Sequence, residues 1–380
     1  MKKIKILFLI HNLKHGGAEK VLVNLVNNMD ENRFDITVMT IFDVGVNKQF
    51  LNKNIGYKSI FSREFRASSQ ILKLFSPQRL YKKYIKEDYD VIVAYLEGTC
   101  TRIIGGCDKS GTVKIGWRHI AETNNEFIYT YRSKKEALEI YNNLDFVACV
   151  SEDVKKNFIE LSGFDVNKTQ VLYNTNETDK IKELAEVKVE KEEFNYDGIK
   201  IIGVAKIRAR KGFFRLARVH KKLISEGYRY KIYLLGEGEE KKEIEDYLRA
   251  NNLSDSFIFL GYDTNPYKYV SKCDLFVCSS FEEGFSTAAT EALIVGTSVL
   301  TTLCAGMKEM LGENDEYGVI VENSEEGIYL GLKKFLDNTE LLSHYKQQSL
   351  IRSEMFSCDK TVKAVEDKII ELYKKKQVGR

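Results

Sequence analysis

Paired cysteines, long apolar runs and a strong net charge are all missing from this sequence. Its seven cysteines (Cys100, Cys107, Cys149, Cys273, Cys278, Cys304, Cys358) are odd in number and form no C-x-x-C pair. Reduced core thiols are expected, with no disulfide and no zinc site. No apolar stretch approaches the ~18 residues of a membrane-spanning helix. The opening MKKIKILFLIHN has the basic lead of a secretion signal, but its apolar run stops at His11, too early for an h-region. A cytoplasmic protein, soluble or peripheral on a membrane, is the expectation. A net charge of +3 is too small to imply a nucleic-acid partner.

At 380 residues and 43% apolar, the chain can bury a sizeable core, and its length favours two domains. Strand-like apolar runs at 5–10, 34–42, 91–96, 112–117 and 145–150 alternate with helical patterns and lead to TQVLY, which ends before Asn174. The charged stretch 176–197, with no sustained apolar face, reads as a linker. A second series begins at 199–205 and continues through YKIYLLG, 256–261, CDLFVCSS, SVLTT and YGVIVEN. Alternation of this kind predicts an α/β protein of two Rossmann-like doubly wound domains facing a central cleft, 1–175 and 198–359.

The most informative stretch is CSSFEEGFSTAATEALIVGTSVLT, residues 278–301. A helix starting near Thr287 would leave the amides of Phe285, Ser286 and Thr287 without intrahelical partners, at the positive end of the helix dipole. With Gly284 in the turn, that is a place for an anion. Glu283 before the turn and Glu291 one helical turn beyond it could accept hydrogen bonds from sugar hydroxyls. An ordinary crossover with solvated glutamates is the alternative. At the carboxyl end of the strand at 199–205, KIRARKGF supplies Lys206, Arg208, Arg210 and Lys211, a cationic cluster suited to a diphosphate; a solvated basic loop is the bland reading.

EGFSTAATEALIVGTSVL resembles the signature of the retaining glycosyltransferases of family 4, and the Lys206/Lys211 pair is similar to that family's Arg/Lys pair. Lys206 in place of Arg keeps the charge but loses the planar fork. The resemblance spans nearly the whole chain and implies the GT-B architecture, with the last helix, 360–380, packing back on the first domain. It implies transfer from a nucleotide diphosphate sugar, a UDP-sugar by commonest usage, to a glycan or polyprenyl-linked acceptor, with retention at the anomeric carbon. No cofactor and no metal are expected.

The resemblance casts Lys206 and Lys211 at the leaving diphosphate, Glu283 at a donor-sugar hydroxyl, Glu291 at the ribose and Tyr262 against the nucleobase. Gly16 and Gly17, in the loop HNLKHGGAEK after the first strand, would lie against the diphosphate. His119, after the strand at 112–117, would face the donor sugar. Asp88-Tyr89-Asp90 forms a D-x-D triplet, but it precedes its strand and so faces the rim away from ligands; it reads as a turn. The composition, rich in Lys, Asn and Ile with two prolines, fits a low-GC bacterium and hence a capsule or other envelope polysaccharide.

Residues 58–86 carry eight basic residues against one acid, Glu64, interleaved with aromatics. A helical stretch of this kind suits an anionic membrane surface, or else a solvated face with its apolar side in the core. Two rival functions remain: a nucleotide-sugar epimerase on the same fold, using His119 with Glu122 as acid and base, and an inactive subunit supporting a partner transferase. A nicotinamide dehydrogenase is disfavoured because G-x-G-x-x-G is absent.

Overall fold

The computed structural model describes residues 2–378, which form two compact units: 2–176 together with 358–378, and 177–357. The first holds a seven-stranded sheet among the described residues, ordered β3-β2-β1-β4-β5-β6-β7. Its strands are β1 (Ile4–Ile10), β2 (Phe34–Phe42), β3 (Gly56–Phe61), β4 (Val91–Ala94), β5 (Val113–Arg118), β6 (Phe146–Cys149) and β7 (Thr169–Val171). Every pairing is parallel. A parallel strand is covered on both faces, so it reads as an unbroken apolar run: Ile6 to Ile10 are all fully buried. The Gly17–Asn28 helix buries Val21, Leu22, Leu25 and Val26 at the 3–4 spacing of one helical face.

The second unit has six strands among the described residues, all parallel, ordered β10-β9-β8-β11-β12-β13. They are β8 (Lys200–Val204), β9 (Lys231–Leu235), β10 (Phe257–Gly261), β11 (Leu275–Cys278), β12 (Ser298–Thr302) and β13 (Val319–Val321). Ile201, Leu234, Val277 and Leu300 meet Leu216, Leu223 and Leu332 of the covering helices in one core. Full burial of each is worth ~1.5–3 kcal/mol. In both sheets the strand order reverses beside the first strand, between β1 and β4 and between β8 and β11. Ligands of open α/β sheets gather at the carboxyl ends of strands at such a reversal.

Two expectations need correction. Residues 176–197 are not a bare linker: the Thr178–Ala185 helix buries Ile181 and Ala185 against Tyr267 and Ile294 of the second unit. Only Ile181, Ala185 and the partly buried Leu184 anchor it, too few to show as a sustained face in a charged segment. Residues 58–86 are not one helical stretch but the end of strand β3 followed by short helices, Ser68–Lys73 and Pro77–Tyr84. Their charge is partly neutralised, with Lys58 paired to Glu87 and Lys82 to Asp108. The last helix, Cys358–Val378, belongs to the first unit, where Glu366 accepts from the Asp30 amide at 2.7 Å and Lys376 reaches Asp145 at 2.6 Å. The final two residues of the 360–380 expectation lie outside the described residues.

Candidate functional site

The loops leaving β8 and β11 are tied together backbone to backbone. The Phe281 amide donates to the Arg210 carbonyl at 2.8 Å, and Ser279 Oγ donates to the Lys211 carbonyl at 3.0 Å. Gly212 permits this approach: its φ is +66°, and a Cβ there would stand 2.1 Å from the Ser279 carbonyl oxygen. Lys211 and Glu283 meet as a consequence. The Lys211 ammonium donates to Glu283 Oε1 at 2.5 Å, with side chains 17% and 12% exposed. Ser280 Oγ donates to the same carboxylate oxygen at 2.6 Å. The Cys278 thiol, lifted to about 11 by burial, is a neutral donor at 3.7 Å.

Three residues past Glu283, Ser286 caps the Thr287–Ile294 helix by accepting from the Ala289 amide. The positive end of that helix therefore opens beside the ion pair, with Gly284 and Phe285 in the intervening turn. Glu291 lies on the helix, 7% exposed, and the Tyr267 hydroxyl donates to it at 3.3 Å. Lys206 is exposed in the loop just after β8, while Arg208 is drawn to Glu239 at 3.4 Å. Tyr262 follows Gly261 at the end of edge strand β10 and is 53% exposed. Of the expected residues in this unit, Lys211 and Glu283 are thus in direct contact. Glu291 is oriented, and Ser286 and Thr287 form the helix start.

Gly16, Gly17 and His119 belong to the first unit. Gly16 caps and Gly17 begins the helix after β1. His119 follows β5, its ring 4.9 Å from that of Tyr95 and stacked on Trp117. Burial pushes His119 down to about 4, and its Nε2 is buried without a hydrogen-bond partner, as is Glu97 Oε2. With the other ring nitrogen donating to the Tyr95 carbonyl, Nε2 of this neutral imidazole is an acceptor for a ligand hydroxyl. Glu122 is held by Arg118 at 2.6 Å instead, and no hydrogen bond joins it to His119 among the described residues. Asp90 accepts from the Lys5 amide and Asp88 pairs with Lys109, which makes the D-x-D triplet part of a turn.

Sequence reasoning missed Arg215, Ser280 and Tyr267. Arg215 is 2% exposed and donates to the carbonyls of Ser279 and Ser280 at 2.7 and 2.8 Å and to Asn323 Oδ1 at 2.7 Å. Its guanidinium lies 3.8 Å from the Phe281 ring centroid, and burial lowers its pKa. It fixes the strand end from which Glu283 projects. In the sequence it looks like an ordinary helix cation; only its place on the inward face of FFRLARVHKK hinted otherwise.

Two parallel Rossmann-like units, each with its strand order reversing beside its first strand, define the GT-B architecture. The description Glycosyltransferase Family 4 matches residues 15–180, and Glycosyl transferases group 1 matches 185–350. The chain belongs to these glycosyltransferases. It is 26% identical over 364 residues to the N-acetylgalactosamine-N,N'-diacetylbacillosaminyl-diphospho-undecaprenol 4-alpha-N-acetylgalactosaminyltransferase of Campylobacter jejuni, covering 91% of this chain and 94% of that protein. The lipopolysaccharide core biosynthesis glycosyltransferase LpsD of Rhizobium meliloti is 22% identical, with 96% of each chain covered. Among solved structures, HepE of Anabaena in complex with UDP superposes with a TM-score of 0.75 at 17% identity, covering 97% of this chain and 100% of that one.

Proposed function

We propose that the protein transfers a sugar, with retention and without a metal, from a UDP-sugar to a hydroxyl of a lipid-linked glycan during bacterial surface polysaccharide synthesis. The observation that carries this is the part-buried Lys211–Glu283 pair, three residues before the cap of the Thr287–Ile294 helix. Lys211 has donors left for phosphate oxygens, and Glu283 has lone pairs left for a sugar hydroxyl. Lys206, Lys211 and the turn from Gly284 to Thr287 would hold the diphosphate. Glu291, oriented by Tyr267, would take the ribose hydroxyls, Tyr262 the uracil, and Gly16, Gly17 and His119 the donor from the first unit's residues.

In the transfer, the bond from the anomeric carbon to the β-phosphate oxygen breaks and its electron pair leaves with UDP. The acceptor oxygen bonds to the same face of that carbon, and its proton passes to the departing phosphate oxygen. Cations and amides aimed at the growing phosphate charge lower the barrier, and no carboxylate acts as nucleophile. The Campylobacter relative, whose name specifies an undecaprenol diphosphate acceptor, and the UDP-bound HepE structure support the acceptor and donor classes. With a lipid-linked acceptor the protein would work in the cytoplasm, peripheral on the inner face of the plasma membrane.

The test is turnover of a UDP- and GDP-sugar panel with lipid-linked acceptor, reading UDP release and anomeric configuration. Lys211→Met is expected to lower kcat by roughly 10²–10³-fold, the usual cost of one oriented donor to transition-state charge, while circular dichroism shows it folded. An inverted product or activity lost to chelators would sink the retaining, metal-free account. Unchanged transfer by Lys211→Met would remove the site itself.

A further inference from the structure

Between the Ser68–Lys73 and Pro77–Tyr84 helices the chain turns at Leu74, Phe75 and Ser76. Leu74 is 75% exposed, Ile71 44% and Phe75 42%, with Tyr129 beside them at 61%. An exposed apolar turn is unremarkable when its backbone is solvated. Here the carbonyls are already bonded. Arg102, itself 1% exposed and paired with Glu136, donates to the carbonyls of Leu72 at 3.0 Å and Phe75 at 2.7 Å. Arg132 donates to those of Lys73 at 2.8 Å and Leu74 at 2.6 Å. The Ile71 and Ser76 carbonyls accept from the Leu74 and Leu80 amides. Every carbonyl from Ile71 to Ser76 thus has a partner within the chain.

That arrangement removes the main cost of leaving water. An unsatisfied backbone group taken into an apolar medium costs several kcal/mol, whereas a turn with its carbonyls bonded internally brings only the gain of burying its side chains. Because its backbone is held in place, insertion has to order only the apolar side chains. Cations flank the tip: the Lys73 ammonium lies 2.9 Å from the Tyr129 carbonyl, and that of Lys83 lies 6.0 Å from the Phe75 ring centroid. The Arg132 side chain is 47% exposed. Each cation near an anionic surface is worth about 1 kcal/mol. The nearby acid, Glu136, is held by Arg102 and Arg132 and is 14% exposed.

We propose that the turn carrying Ile71, Leu74 and Phe75 is a rigid wedge that inserts into the headgroup–acyl boundary of an anionic bilayer, with Lys73, Lys83 and Arg132 at the phosphates. It specifies where a membrane contact is made and does not depend on the sugar-transfer reading, since vesicle binding is measured without donor or acceptor.

The experiment is sedimentation of the full chain with phosphatidylglycerol and with phosphatidylcholine vesicles. Wild-type protein is expected to bind the anionic vesicles. Leu74→Asp is expected to weaken that binding at least tenfold with an unchanged melting temperature, and Lys83→Glu to weaken it several-fold in low salt. A Leu74→Trp variant should be quenched by brominated acyl chains, whereas the native Trp117, 3% exposed inside β5, should not. Equal binding by Leu74→Asp overturns the proposal. So does wild-type protein that ignores vesicles but self-associates through the patch, read by light scattering and abolished in Leu74→Asp.

Discussion

Lys211 and Glu283 stand where an apolar pair would cost less. Removing two charges from water carries a penalty that their attraction only partly offsets. Ser280, the Cys278 thiol and the Lys211 ammonium converge on one carboxylate oxygen, Oε1, which fixes the orientation of the carboxylate. A group kept charged, nearly buried and oriented is ready to meet a ligand without rearrangement. The histidines behave differently. His220 is fully buried against Tyr230 and Phe257, bonded to Ser256 at 2.8 Å, and burial pushes it down to about 3. Its folded pKa lies below the unfolded value near 6.5, so the unfolded chain takes up the proton first. Its stabilising contribution is complete above pH 6.5 and is lost as pH falls towards 3; His119, down at about 4, adds in the same sense. Urea unfolding at pH 7.5, 6, 5 and 4.5 should show this loss, and His220→Gln should flatten it by up to about 1.4 kcal/mol per pH unit. Identical slopes for the two proteins would contradict the assignment.

At the scale of elements, the second unit's site is built from turns that touch through glycine. Besides Gly212, Gly236 has φ +148° and would place a Cβ 1.9 Å from the Ala205 carbonyl oxygen, and Gly238 would place one 2.1 Å from that of Ile207. Gly212→Ala must therefore adopt a left-handed backbone at ~1–2 kcal/mol and also push Ser279 away. A fall of several degrees in melting temperature is expected, with UDP affinity by calorimetry reduced tenfold or more because Lys211 moves with the loop. Retained affinity would mean the loop contact does not set the site. Most strands were legible because a doubly covered strand is an apolar run, as in LFLI and LFVC. Strand β3 was not: GYKSIF lies at a sheet edge, none of its residues fully buried, and its Lys58 drew it into the basic stretch that follows. Of the candidate site, Glu283, Glu291 and Lys211 were readable from a motif. Arg215 and Tyr267 were not, because their importance lies in partners 64 and 24 residues away.

For the whole molecule, the chain leaves the first unit after 176 and returns to it at 358, so the second unit is an insertion in the first. The returning helix is held by Glu366, 7% exposed, which takes the Asp30 amide and Arg33 at 3.2 Å. Calorimetry should separate the two units. UDP at a hundred times its Kd should stabilise the second by about 2.7 kcal/mol, whereas Glu366→Ala should lower the transition that UDP leaves in place. A single transition moved alike by both would mean that the units unfold as one. The order of connection also has a consequence during synthesis. The ribosome finishes the first sheet long before it makes the helix that completes that unit, and at ~5–20 residues per second the wait is roughly ten to forty seconds. Throughout that interval the surface around Asp30, Arg33 and Phe146 awaits its cover, and the nascent chain must rely on chaperones or on slow folding to keep it from its neighbours.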